Sequence, residues 1–202
     1  MITNLAQLSP NQRYHTITQC LVPRPVAWVI SENSDSSLNL APFSYFGGVA
    51  SDPPLLMLSI GKKPDGTIKD TRKNIIERNH FVVHIAHREL APAVTESSRT
   101  RNYGESEISA QNLQTVAFDG FPLPRLNDCR VAFGCECYRV EEITETQAMI
   151  LGEIKLVYID DAIVQQDGNR LTVNAEALDP IARLGGNDYA LMGGITTVAR
   201  PK

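Results

Sequence analysis

A short basic stretch, GKKPDGTIKDTRKN at residues 61–74, stands out in a chain whose overall charge is negative. It contains five basic and two acidic side chains: Lys62, Lys63, Lys69, Arg72 and Lys73, with Asp65 and Asp70. The 202 residues together carry 19 Lys and Arg against 23 Asp and Glu, a formal net charge of −4. A local excess of cations in an acidic chain indicates either a local anionic ligand or a solvated basic turn.

The elements predicted on either side of this stretch favour a strand followed by a helix. LLMLSIG (Leu55–Gly61) is a short apolar run, typical of a buried strand. A helix is predicted from Ile68 to Arg78, with Thr67 as its N-cap, Asp70 in the third position after the cap and Asn79 as its end.

The start of that helix is suited to a phosphate. Free N–H groups and the positive end of the helix dipole would lie beside Lys69 and the Thr71 hydroxyl. A nucleotide-triphosphate loop is not indicated, because Gly66 is followed by Thr67 and Ile68 instead of by Lys and then Ser or Thr.

A second stretch, NLAPFSYF at residues 39–46, is unusual for a strand. Pro42 cannot donate to a β-ladder, so this segment is expected at a sheet edge, at a bulge or beside a ligand. Ser44 offers a hydroxyl, and Tyr45 and Phe46 offer flat apolar surface. A flat ligand that carries a phosphate would fit the two stretches together, and an irregular edge strand is the alternative.

The composition predicts one soluble domain over residues 1–202. The acidic balance argues against nucleic acid, no apolar run reaches the roughly 20 residues needed to span a membrane, and no secretion signal is visible. We therefore expect a cytoplasmic protein. The cysteines of CRVAFGCEC (129–137) are interpreted as small buried hydrophobes, and no metal site is predicted.

Strand signals dominate the first third of the chain, and a polar stretch with weak helical patterns fills residues 88–114. PVAWVIS (25–31) and LNLAPFSYFGGVA (38–50) predict a hairpin, and the segments 131–143 and 148–164 predict two long antiparallel strands around an acidic turn at 142–145. HFVVHIA, at residues 80–86, is a further strand, and a short helix is predicted over 175–186. Many consecutive strands with few helices between them favour a mainly β fold, a β-barrel with peripheral helices.

The order of motifs resembles the flavin reductase-like family of FMN-binding split barrels, from about Val22 to Tyr189. The motifs are PRPVAWVIS, NLAPFSYF, SDPPLLMLSIG, DGTIKDTRKNI, FVVHI, LGEIKLVYIDD and LDPIARLGGNDY. The resemblance implies a six-stranded Greek-key split barrel that binds FMN near the interface of a homodimer.

The resemblance also implies the cofactor-binding residues. Those expected along the isoalloxazine and ribityl chain are Asn39, Ala41, Pro42, Ser44, Tyr45 and Phe46. Those expected around the ribityl and phosphate are Ser59, Gly61, Lys62, Lys69, Asp70 and Thr71. Possible contacts to the flavin edge or a partner subunit are Arg24, Arg183, Gly185, Gly186 and Tyr189.

The activity implied is that of an NAD(P)H-dependent flavin reductase, with NADH or NADPH as electron donor and a flavin-dependent monooxygenase as a possible partner. No catalytic residue is predicted. A flavin carrier without turnover and a barrel module with an empty site are the alternatives. His84 stands where this family more often has asparagine, and together with His80 and His87 it is not expected to bind a metal.

Overall fold

The computed structural model describes residues 1–167 and 170–201, and most of its regular structure is β-strand. The strands are β1 (Arg24–Pro25), β2 (Ala27–Glu32), β3 (Leu38–Phe43), β4 (Phe46–Ser51), β5 (Pro54–Gly61), β6 (His80–Ile85), β7 (Thr115–Val116), β8 (Arg125–Leu126), β9 (Val131–Thr144), β10 (Gln147–Ile159), β11 (Val164–Asp167), β12 (Arg170–Val173), β13 (Ala182–Arg183) and β14 (Tyr189–Ala190). The helices are α1 (Pro10–Cys20), α2 (Asp70–Arg78), α3 (Ala91–Glu96), α4 (Glu107–Ala110) and α5 (Ala175–Leu178). Within the described ranges, no helix is long and apolar enough to cross a membrane.

Seven strands form one antiparallel sheet in the order β3-β2-β6-β9-β10-β5-β4. Although β3 and β4 are consecutive in the chain, they lie at opposite edges of this sheet. Only Ser44 and Tyr45 separate them, and three Cα–Cα steps reach at most about 11 Å. The two edges must therefore approach each other, so the sheet curls into a barrel. This confirms the predicted mainly β barrel with peripheral helices.

The core lies on both faces of the curled sheet. On β2, Ala27 and Val29 belong to one buried cluster, which also takes side chains from β5, β6, β9 and β10. Trp28 and Ile30 point the other way into a second cluster, which includes side chains from α3, α4 and the 118–129 segment. The continuous apolar sequence of β2 is explained because both of its faces are covered.

The strand predictions hold except at their limits. The 25–31 and 38–50 hairpin is confirmed as β2 and β3, but residues 46–51 leave β2 and pair with β5 as a separate strand. The sheet therefore has seven strands where six were expected. The long β9 and β10 are confirmed, although β9 continues to residue 144, into the predicted turn. The predicted end of the second strand at residue 164 is wrong, because β10 ends at Ile159 and residues 161–163 form a 3-10 turn.

The predicted start of α2 is wrong by two residues. The helix begins at Asp70, not at Ile68, and no side chain caps it. Thr67 does not act as a cap because its amide and hydroxyl both donate to Asp65. The predicted end is confirmed, since Asn79 closes the helix in the left-handed conformation at φ 68°.

Two other helices differ from prediction. The helix expected over 175–186 stops at Leu178, because Asp179 turns into the left-handed conformation and the following residues pair with β1. The α1 helix was not predicted, although its signal is present. Ser9 and Gln12 form a reciprocal capping box ahead of it, with proline in the first turn.

The cysteines and histidines behave as structural residues. Cys129 and Cys135 are buried and Cys137 is half-buried against the same cluster as Cys135. Burial raises the pKa of the Cys129 thiol to about 12 and that of Cys135 further. Throughout residues 1–167 and 170–201, no group of three or more His, Cys, Asp or Glu side chains is arranged to hold a metal ion.

His84 is buried in β6 and is hydrogen-bonded at both ring nitrogens. Its Nε2 accepts from the Leu126 amide at 2.9 Å, so Nδ1 carries the proton and donates to the Trp28 carbonyl at 2.9 Å. Burial lowers the pKa of His84 to about 4. The side chain is therefore a neutral link between β2, β6 and β8.

Candidate functional site

The basic stretch forms a tight turn held by its own side chains. Asp65 Oδ1 accepts from the Thr67 amide at 2.9 Å and from the Thr67 hydroxyl at 2.6 Å. The Lys63 amide donates to the Thr67 carbonyl at 2.7 Å, and Gly66 supplies the positive φ of 86° that the turn requires. The turn therefore uses the Thr67 hydroxyl internally and is rigid where Lys62 and Lys63 project.

The helix start next to this turn is free to bind an anion. Lys69 occupies the N-cap position without a capping side chain, so the amides of the first turn have no side-chain acceptor. Lys63 Nζ lies 2.7 Å from Asp70 Oδ1 and ties the turn to the helix. Lys69 makes no ion pair with any described residue, and its Nζ lies 5.7 Å from the centre of the Phe43 ring. Burial lowers the pKa of Lys69, and a bound anion would oppose that effect.

A buried polar network joins this helix to the sheet. Asn39 Nδ2 donates to Thr71 Oγ1 at 2.9 Å and lies 3.2 Å from Ser31 Oγ. Asn74 Nδ2 donates to Ser31 Oγ at 3.1 Å and to Asn33 Oδ1 at 2.7 Å. Because Thr71 Oγ1 accepts from Asn39, its own proton remains available for a ligand.

Residues 97–101, SSRTR, form another wall of the same site, the SSRTR wall. Ser97 is fixed because its hydroxyl accepts from Trp28 Nε1 at 2.8 Å and donates to the Val94 carbonyl. Arg99 and Arg101 both reach Glu96, at 2.6 and 3.3 Å. The Nε of Arg101 is buried and has no hydrogen-bond partner among the described residues. This N–H is therefore a donor in need of an acceptor.

These elements enclose a cavity of about 680 Å³, within the usual range for small-molecule sites. Its cationic lining is Lys62, Lys63, Lys69, Arg99 and Arg101, and its acidic lining is Asp70 and Glu107. Its other lining residues are Asn11, Tyr14, Asn39, Ala41, Pro42, Phe43, Pro64, Thr71, Ser97, Ser98 and Thr100. Five cations against two acids make the cavity electropositive in an acidic protein.

The structure brings part of the predicted set to this cavity. The predicted residues that line it are Asn39, Ala41, Pro42, Lys62, Lys69, Asp70 and Thr71. Ser44, Tyr45 and Phe46 follow directly along the chain, where β3 crosses to β4, and the Tyr45 carbonyl accepts from the Ser59 amide at 2.9 Å. Gly61 ends β5, next to the turn that carries Lys62.

The late motif and Arg24 lie outside the cavity lining. Arg24 is buried and donates to the carbonyls of Thr18, Leu21 and Leu184, with its Nε 3.4 Å from Ser44 Oγ. It therefore joins the end of α1 to the crossover after β3.

Arg183 stacks over Tyr189 at 4.8 Å and donates to the Gly186 carbonyl. Gly185 packs against Gln19 of α1. Tyr189 is hydrogen-bonded to Thr95 of α3 at 3.0 Å, so the late motif supports the elements around the cavity.

Sequence reasoning missed the wall at 97–101, together with Asn11, Tyr14 and Glu107. The run SSRTR, with three hydroxyls and two arginines in five residues, was a usable signal for an anion site. Nothing local marks Glu107 or α1 as neighbours of the cavity.

A curled antiparallel sheet with an electropositive cavity beside a free helix start is the arrangement expected of a split-barrel flavoprotein. The flavin reductase like domain family matches residues 19–173, and the chain belongs to this family.

Solved structures resemble the chain over nearly its whole length. Nitrilotriacetate monooxygenase component B from Bacillus cereus is 30% identical with a TM-score of 0.89, covering 98% of each chain. The 2-nitrobenzoate 2-nitroreductase NbaA from Pseudomonas fluorescens is 29% identical with a TM-score of 0.90, covering 100% of this chain and 96% of that one. A split-barrel protein from Shewanella frigidimarina NCIMB 400, 20% identical with a TM-score of 0.84 over 98% and 96% of the chains, supports the fold alone.

Proposed function

We propose that the cavity binds FMN and that the protein is an NAD(P)H-dependent oxidoreductase of the flavin reductase type. The observation that carries the proposal is the convergence of five cationic side chains and a free helix start on one cavity, whose lining also includes an apolar part at Ala41, Pro42 and Phe43. FMN has a flat ring, a hydroxylated chain and a terminal phosphate, and the cavity offers surface of each matching kind.

The phosphate end is assigned to the start of α2 and the SSRTR wall. Lys62 and Lys69 supply charge, the Thr71 hydroxyl supplies its free proton, and the unpartnered Arg101 Nε supplies a buried donor. Arg99 adds charge from the rim. Asp70 forms an ion pair with Lys63, and this pairing weakens the repulsion between the Asp70 carboxylate and an anionic ligand.

The ring end is assigned to β3 and the crossover that follows it. Ala41, Pro42 and Phe43 give an apolar wall, and Pro42 has no N–H that would need a partner at this edge. Tyr45 and Phe46 continue the same surface toward β4. Asn39 lies between the two ends, where its amide is held by Ser31 and Thr71 and cannot rotate freely.

The chemistry that a bound flavin supplies is two-electron hydride transfer from NADH or NADPH to an acceptor. The chain's own contribution is to bind and orient: the rigid turn and the buried network preorganise the donors before the ligand arrives. Because Lys69 and the Arg101 Nε lie in partly desolvated positions, their contacts with an anion are stronger than those of exposed cations.

A homodimer and a downstream acceptor complete the proposal. Apolar side chains are exposed on α1 (Ile17, at 37%), directly after α1 (Leu21, at 58%) and on β4 (Val49, at 52%), and a second copy would cover them. The similarity to a protein named monooxygenase component B supports a flavin-dependent monooxygenase as the acceptor.

The test is the visible absorption spectrum of the purified protein with FMN, recorded anaerobically before and after addition of NADH or NADPH. The proposal predicts a bound-flavin spectrum that bleaches with at least one donor. A flavin spectrum that persists with both donors would refute the reductase and leave a flavin carrier. A protein that binds no FMN would refute the cofactor assignment itself.

A further inference from the structure

Glu107 is a carboxylate that neither the sequence motifs nor the proposed flavin contacts account for. It is the first residue of α4, only 5% of it is exposed, and its side chain borders the cavity. Among the described residues it is the only acidic one in the buried class. Burial of an acidic side chain beside a proposed anion site needs a physical reason.

One reason is the open edge of β3. Glu107 Oε2 accepts from the Leu40 amide at 2.8 Å, and the hydroxyl of the neighbouring Ser106 donates to the Leu38 carbonyl at 2.5 Å. Leu38 and Leu40 therefore present their backbone groups away from β2, and the two side chains substitute for a further strand. Because Leu40 stands between Asn39 and Ala41, this clamp sets the position of the cavity wall.

The protonation state of Glu107 depends on the charges around the cavity. The hydrogen bond from the Leu40 amide and the charge of Arg101 favour the ionised form of Glu107, and the charge of Asp70 opposes it. The other charged residues around the same cavity are Lys62, Lys63, Lys69 and Arg99. Burial raises the pKa of Glu107, so its ionised state is already costly before a ligand binds.

We propose that Glu107 is a positioning residue that holds β3 through Leu40 and that its carboxylate takes up a proton when a phosphate-bearing ligand enters the cavity. The proposal rests on the assignment of FMN to this site. An incoming phosphate brings up to two negative charges close to the Glu107 carboxylate and repels it. The phosphate also neutralises the cations that stabilised the ionised carboxylate before the ligand bound. Protonation removes this repulsion, and the second oxygen of the carboxyl still accepts from Leu40.

The experiment is isothermal titration of FMN and of riboflavin into the wild type, Glu107→Gln and Glu107→Ala, in two buffers of different ionisation enthalpy between about pH 5.5 and 8. Gln keeps an acceptor for Leu40 without the charge, and Ala removes both. Riboflavin lacks the phosphate and serves as the matched ligand. The phosphate of FMN also titrates, and the difference between wild type and Glu107→Gln removes its contribution.

The wild type should take up more protons per FMN than Glu107→Gln, with no such difference for riboflavin. Glu107→Gln should bind FMN about tenfold more tightly near pH 8, and the two proteins should converge at low pH. Riboflavin affinity should fall in Glu107→Ala and be retained in Glu107→Gln.

Equal proton counts in wild type and Glu107→Gln would overturn proton uptake while leaving flavin binding intact. Equal riboflavin affinity in all three proteins would overturn the positioning role. If Glu107→Ala does not fold, Glu107→Met replaces it, because Met keeps the bulk of the side chain and offers the Leu40 amide no oxygen acceptor. Riboflavin affinity lower than that of Glu107→Gln supports the positioning role, and equal affinity overturns it. Failure of the wild type to bind either ligand would refute the proposed function and this inference with it.

Discussion

Replacement of Lys69 by Met is expected to weaken FMN binding by about 10- to 150-fold and to leave riboflavin binding within about twofold. Lys69 is half-buried at the N-cap of α2 and has no ion-pair partner in the described part of the chain, so the phosphate is its only proposed counter-charge. A charge-assisted hydrogen bond contributes about 1.5–3 kcal/mol, which converts to the fold-change above. Met keeps an unbranched, uncharged side chain, one atom shorter than Lys, beside the Phe43 ring.

The pH dependence follows from the same burial. Because desolvation lowers the pKa of Lys69 from its ordinary 10.5, its charge is lost at a lower pH than that of an exposed lysine. FMN affinity of the wild type should therefore fall as the pH rises toward that lowered pKa. In the Met variant this contribution should be absent.

The assay is quenching of flavin fluorescence, titrated with FMN and riboflavin at low and high salt. Lys73→Met is the matched control, because it removes the same charge from the same helix at a side chain that lies 4.0 Å over the Tyr103 ring. An equal loss of FMN and riboflavin affinity in Lys69→Met would refute the phosphate assignment. So would a loss of FMN affinity in Lys73→Met as large as that in Lys69→Met.

Three further predictions follow from packing, burial and exposed surface. Folding lowers the pKa of His84 from its ordinary 6.5 to about 4, so the unfolded state binds a proton more readily. The free energy of unfolding should therefore drop by the order of 3 kcal/mol as the pH falls from 6.5 to 4. Urea denaturation measures this pH dependence, and His84→Asn should make it shallower. Gly152→Ala should destabilise the protein by about 1–3 kcal/mol, because its new Cβ would lie 2.3 Å from Phe81 Cζ. Gly47→Ala is the control, because its Cβ would meet nothing within 4 Å. Equal melting temperatures of the two variants would contradict the prediction. Sedimentation equilibrium should give twice the 22.3 kDa chain mass, and a monomer at micromolar concentration would refute the proposed homodimer.

The local elements were predictable because their causes lie within a few residues. The apolar run of β2 marks a strand covered on both faces, and Asn79 marks the end of α2 through its tolerance of positive φ. The capping box of Ser9 and Gln12 is an equally local signal for the start of α1. The start of α2 was misplaced because Asp65 competes for Thr67, a choice between two local hydrogen bonds that composition does not rank.

The basic turn and the proline-interrupted strand also indicated by themselves that an anionic, flat ligand was plausible. This inference needs only the residue types and their order within two short segments, because these already show the charges, the hydroxyls and the start of a helix.

Only the tertiary structure separated β3 from β4, brought the SSRTR wall to the same cavity as Lys69 and set Glu107 against Leu40. These are contacts between distant parts of the chain; Glu107 and Leu40 are 67 residues apart. Such pairs form because the sheet curls and buries its open edge, and no local pattern encodes which side chain will meet that edge. The sequence therefore determined the kinds of chemistry available, and the curvature of the barrel decided which residues enclose one cavity.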